Sequence, residues 1–137
     1  MQTCSTFNQA ELEQSKLFVE EQFELAEKQS DGKTLREHLQ NVQEQTGVVP
    51  KELENLIELP ESMNDYWMWF LRLHNHRPAG MGLTAIPYSE MQAFFNLNGI
   101  HLDPYEIEVI ELFDSIALRV LSEQADKEQK KANAKKK

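Results

Sequence analysis

The sequence predicts an all-α protein of about five helices, with a long C-terminal helix and a disordered Lys-rich tail. Three observations carry that prediction. Apolar residues recur three and four apart through most of the chain, as one face of a helix requires. No stretch alternates apolar and polar residues in the manner of a half-buried strand, and no internal repeat is present. Helix boundaries are marked by specific residues, such as Thr34-Leu35-Arg36-Glu37 before one helix and Asn98-Gly99 after another.

The first helix is expected from Gln9 to about Gln29, a stretch rich in Glu, Gln, Leu and Ala. Leu12, Val19, Phe23 and Ala26 form its apolar face, and Glu13, Glu20, Glu24 and Glu27 the opposite one. Ser30-Asp31-Gly32 ends it, with Gly32 suited to a left-handed turn. Thr34 and Glu37 then form a capping box: the threonine oxygen accepts from the Glu37 amide and the glutamate reaches back. Leu35, Leu39 and Val42 make a thin stripe before Gly47 stops that helix. Pro50 fits the first turn of a short helix through Ile57, with Leu53, Leu56 and Ile57 as its apolar side.

The densest apolar run is Tyr66-Trp67-Met68-Trp69-Phe70-Leu71-Arg72-Leu73. It reads as a central helix, because a segment apolar nearly all round belongs between other elements. Trp67 and Trp69 stand two apart and therefore point to different sides. The run is far too short to cross a bilayer, which takes about 20 residues. After it, Pro78-Ala79-Gly80-Met81-Gly82 predicts a loop. Thr84 is a candidate cap, and Pro87 opens a helix through Leu97 with Met91, Phe94 and Phe95 as its apolar face. Asp103-Pro104 opens the last helix, expected to run to about Ala125, with Glu106 and Glu108 near the positive end of its dipole. Val109, Phe113, Ile116 and Val120 form its main ridge, flanked by Ile110, Ala117 and Leu121 and widened by Leu112. The expected core centre is Trp67, Phe70, Leu71, Phe94, Val109, Phe113 and Ile116. The organisation read from these signals is an acidic helical N-terminal region over 1–58, a helical core domain over 59–126 and the tail over 127–137.

Charge and composition narrow the function classes. Residues 1–126 carry 8 Lys+Arg against 22 Asp+Glu, a net of −14, whereas 127–137 carry 6 Lys against Glu128, a net of +5. An acidic body repels nucleic acid, whose binding depends on cationic contacts to phosphate. The single cysteine, Cys4, excludes an internal disulfide and makes a cytoplasmic setting the expectation, and no secretory or membrane-spanning segment is evident. His74 and His76, two apart and with no matching pair nearby, do not make a tetrahedral metal site. Ala79-Gly80-Met81-Gly82 lacks the third glycine and preceding strand of a dinucleotide fingerprint. No nucleophile motif is present, and carboxylate pairs such as Glu106 and Glu108 are expected by chance among 23 acids. The expectation is a binding protein with no enzymatic activity, metal or cofactor. Its aromatic residues are the better clue: Trp67, Trp69, Tyr88, Phe94, Phe95 and Tyr105 fall within 39 residues, and such rings are enriched at interface centres.

The order Leu59-Pro60, Tyr66-Trp67-Met68-Trp69-Phe70, Arg77 and Gly80, Ile86-Pro87-Tyr88-Ser89-Glu90-Met91, Leu102-Asp103-Pro104-Tyr105-Glu106 and Ile110…Phe113-Asp114 resembles the small tail assembly chaperones of long-tailed bacteriophages and prophages. The shared features are an aromatic helix, a helix with a hydrophobic–aromatic–x-Glu start, and a last helix that opens Pro-aromatic-Glu and carries an Asp further on. The resemblance covers residues 59–116 and does not reach the N-terminal third.

The resemblance implies a protein that binds the tape measure protein, tail tube subunits or both during tail morphogenesis, in the host cytoplasm, and is missing from the finished virion. In that role Trp67, Trp69, Tyr88 and Tyr105 are the candidate partner-binding residues, since a large ring with a polar atom suits a surface that is dry only when occupied. Two other classes fit the composition. One is a structural tail or head-completion component, which would remain in the virion; the other is a small acidic regulatory protein, which the lack of a basic recognition helix disfavours.

Overall fold

In the computed structural model, which describes residues 8–77 and 83–135, every regular element is helical. Cys4, Lys136, Lys137 and the stretch 78–82 expected as a loop lie outside the described residues. The first helix, α1, spans Gln9–Leu25 and is capped by the Asn8 side chain, which accepts from the Ala10 amide at 2.8 Å. It ends short of Gln29 because the chain from Glu27 spends its hydrogen bonds across a turn instead of along a helix. The Gln29 amide donates to the Lys33 carbonyl at 2.7 Å and the Leu35 amide to the Glu27 carbonyl at 2.9 Å, with an isolated antiparallel bridge pairing Lys28 and Thr34. Gly32, at φ 85°, supplies the left-handed residue that this turn needs.

Helix α2 spans Leu35–Thr46, opened by the complete Thr34–Glu37 capping box and closed by Gly47 at φ 74°. Helix α3, Lys51–Glu54, is shorter than the expected run through Ile57. The reason is a competing partner: the Ile57 amide donates to Glu21 Oε1 at 2.8 Å, and Gln14 donates to the Glu58 carbonyl at 2.6 Å. Side chains of α1 thus draw this backbone out of helical geometry. A 3-10 turn at Glu61–Met63 buries Met63 completely and leads directly into α4, Asn64–Asn75.

Helix α4 presents three different sides. Phe70 and Leu73 are buried; Trp67 turns toward α1, its ring 5.2 Å from Phe18. Trp69 turns toward the next helix, α5 (Tyr88–Leu97), with its ring 5.7 Å from Phe95. Met68 faces solvent, so the helix is covered on two flanks and open on a third. In α5, Met91 and Phe95 are buried, and Gly99 at φ 66° turns the chain out of the helix. No side chain caps α5, so Thr84 does not serve as its cap.

The last helix, α6, spans Pro104–Lys135 and packs against both α1 and α4. Its ridge is the one read from periodicity: Val109, Ile110, Phe113, Ile116, Ala117 and Val120 are buried. Helical geometry continues to Lys135, past the end expected near Ala125, as an exposed extension with no apolar face. Of the seven residues expected at the core centre, Phe70, Val109, Phe113 and Ile116 are buried, while Trp67, Leu71 and Phe94 pack half-buried against them. Val19 and Phe23 of α1 enter the same cluster, along with Met63 and Ile86.

Phe113 is fully buried and touches two aromatic rings, with centroids 6.1 Å from Trp67 and 6.2 Å from Phe70. Phe113→Ala is therefore expected to lower the unfolding free energy by about 3–5 kcal/mol in urea titrations. A loss below about 1 kcal/mol would place this ring outside the core.

Candidate functional site

The site is built where the end of α4, the extended stretch before α5 and the middle of α6 meet. Arg77 lies just past the end of α4. Its Nη2 forms an ion pair with Asp114 Oδ1, its Nη1 donates to the Thr84 carbonyl at 2.6 Å, and its Nε donates to His74 Nδ1 at 2.9 Å. Asp114 Oδ2 in turn accepts from the Ile86 amide at 2.9 Å. Asp114 is buried and Arg77 partly so, their side chains being 4% and 15% exposed. One carboxylate thus fixes the stretch 84–86 from two directions, through its own bond and through Arg77.

His74 completes this network as a neutral acceptor. Its ring stacks on Phe70 at 5.6 Å and meets Phe23 edge-on at 5.2 Å. Burial lowers its pKa, and the neighbouring Arg77 charge lowers it further. Burial also lowers the pKa of Arg77, which nonetheless stays cationic, as guanidinium groups do in proteins.

Beside this network runs a groove of about 510 Å³ whose walls include Leu73, Ile86, Pro87, Ala93, Phe94 and Leu97. Glu90, Ala93, Phe94 and Leu97 are spaced i, i+3, i+4, i+7 on α5 and form a second stripe beside the buried Met91 and Phe95. Leu97, at the end of that stripe, is 87% exposed. The Arg72 guanidinium lies over the Phe94 ring, 5.0 Å from its centre.

The four residues singled out from sequence are spread around these elements. Trp67 is engaged with Phe18, Phe23, Phe70 and Phe113, on the α1 and α6 side. Trp69 sits between Tyr66 and Phe95. Tyr105, the second residue of α6, is half-buried. Tyr88 opens α5, is 66% exposed, and donates its hydroxyl to Glu111 Oε2 at 2.7 Å, a bond that raises its pKa. Glu90, Ala93 and Leu97 are not singled out by the sequence reading, although they share helical spacing with Phe94. Arg77 and Asp114 stood out only as positions in the family resemblance.

Among the described residues, no group of three or more His, Cys, Asp or Glu could hold a metal, and no helix is long and apolar enough to cross a membrane. The helical scaffold carries a preformed, largely apolar groove beside the Arg77–Asp114 network. A family model described as phage tail assembly chaperone matches residues 42–119, more than half of the chain, and the chain belongs to that family. The matched region runs from the last turns of α2 through Arg119 of α6 and contains the whole groove. Neither a search of curated proteins nor one of solved structures returned a match.

Two measurements check the polar network. Asp114→Ala leaves a buried guanidinium and the Ile86 amide without their acceptor, and is expected to cost about 3–5 kcal/mol in urea unfolding. The second concerns pH. With the folded pKa of His74 below the unfolded 6.5, the unfolded chain takes up a proton first as pH falls. Stability is therefore complete above 6.5 and declines as pH drops from there through the lower folded pKa. His74→Gln should flatten this decline in melting scans; an unchanged slope would remove His74 as its source.

Proposed function

We propose that this chain binds the tape measure protein, tail tube subunits or both while a phage tail is assembled, acts in the host cytoplasm, and leaves before the virion is complete. Membership of the tail assembly chaperone family supports the class of role. The observation that carries the reading is the apolar groove between α4 and α5, with Leu97 exposed at its edge. Tail proteins rich in long amphipathic helices expose apolar faces until assembly is finished, and a groove that accepts one such face keeps them apart. Trp69 lies on α4, Tyr88 on α5 and Tyr105 on α6, outside the groove lining, and the exposed Tyr88 presents an amphipathic ring to an incoming chain. Trp67 packs against the core rings on the α1 and α6 side, away from the groove. The acidic body adds long-range attraction for basic partner segments and keeps unbound copies apart.

Co-expression with the tape measure protein of the same phage or prophage is the direct assay. The wild-type chain is expected to raise the soluble yield of that protein, and Tyr88→Ala, at an exposed ring and checked to melt as the wild type does, to reduce the gain. Mass spectrometry of purified virions should find the tape measure protein without this chain. No change in soluble yield for tape measure and tail tube proteins alike would refute the chaperone role.

A further inference from the structure

We infer that the groove between α4 and α5 takes one helix of the tail protein, apolar along one face and flanked by Lys or Arg, seated on Ala93, Phe94 and Leu97. This inference deepens the chaperone reading and rests on it. The first support is that α5 carries two apolar stripes and uses only one for the fold. Met91 and Phe95 are buried; Ala93, Phe94 and Leu97 line the groove with Leu73 and Ile86. A lone exposed leucine is ordinary. Leu97 differs because it continues the groove-lining stripe of Ala93 and Phe94, giving an apolar wall along α5 on which the apolar face of a partner helix can lie.

The second support is preorganisation. The wall formed by 84–87 has no helical hydrogen bonds of its own on the Arg77 side. It is held by the bonds from Arg77 to the Thr84 carbonyl and from the Ile86 amide to Asp114. A partner therefore meets a formed surface and does not have to order it, which removes part of the entropy cost of binding.

Charge selects the occupant. A second copy would bring another chain of net −9, tail included, against the first, so like repels like on balance. In the groove lining, Arg77 is already matched by Asp114 and Glu90 is the charged member of the α5 stripe; Arg72, outside the lining, is drawn over the Phe94 ring. A helix with basic flanks satisfies Glu90 and is attracted to the body from a distance; an acid-flanked one is not.

The test places a photo-crosslinking amino acid at position 97, with position 17 as the control. Leu17 is exposed on α1 and lies outside the groove. Each variant is co-expressed with the tape measure or tail tube protein, irradiated, and the joined peptides are identified by mass spectrometry. Crosslinks from 97 and not from 17, to a segment with an apolar stripe and Lys or Arg beside it, are expected. Leu97→Glu should keep the wild-type melting temperature and weaken the complex about tenfold or more, the loss that follows from removing one buried leucine contact. Equal binding by Leu97→Glu, or crosslinks from 17 instead of 97, would overturn the groove assignment while leaving the chaperone reading intact. Crosslinks from 97 to a second copy, or to an acid-flanked segment, would overturn the occupant. If the wild-type chain forms no complex with either tail protein, the chaperone reading fails and the groove assignment with it.

Discussion

The ion pair between Arg77 and Asp114 is the interaction on which the rest of the architecture depends. A carboxylate on the inner side of a long helix is costly to bury unless all of its lone pairs are used. Here it is answered by a guanidinium from the end of α4 and by the amide of Ile86, which comes from a segment with no helical partners. One buried charge therefore joins three pieces of chain that hydrophobic packing alone would leave free to slide. Apolar contacts are non-directional, whereas the fork of an arginine fixes direction and register.

The apolar framework around this pair is divided by helix α6. One part of its surface receives Val19 and Phe23 from α1, and another receives Phe70 from α4, with Trp67 wedged toward both. Edge-to-face ring geometry recurs through this cluster, including Phe18 on Trp67 and Trp67 on Phe113. Such contacts add directionality to the burial of large rings. The polar contacts from Gln14 and Glu21 to residues 57 and 58 then carry α1 across to the start of the aromatic helix.

Much of the helical pattern was legible because its signals are local. The Thr34–Glu37 box, Gly47, Gly99 and the Pro104 start all lie within a few residues of the bonds that they make, and the ridge on α6 follows directly from helical period. The misjudged ends were decided by remote partners. The short α3 reflects Glu21, 36 residues away, taking the Ile57 amide. The early end of α1 reflects bonds closed across a turn. The site was less legible for the same reason. Aromatic content pointed to Trp67, but its surroundings depend on where Phe18 and Phe113 come to rest, and no window of sequence contains all three. Asp114 looks like any other of the 23 acids until Arg77 is placed beside it.

The extension of α6 to Lys135 gives the molecule an electrical polarity. Its lysines lie at the carboxyl end of a 32-residue helix, where cations oppose the negative pole of the backbone dipole. They also follow a body of opposite sign, with Lys127 paired to Glu27 where the two meet. At about 1.5 Å of rise per residue, the nine residues after Asp126 carry positive charge some 13 Å along the axis. A molecule with its two signs separated in this way experiences a torque in the field of any charged neighbour. It turns before it touches, and approaches an acidic surface with one end and a basic surface with the other.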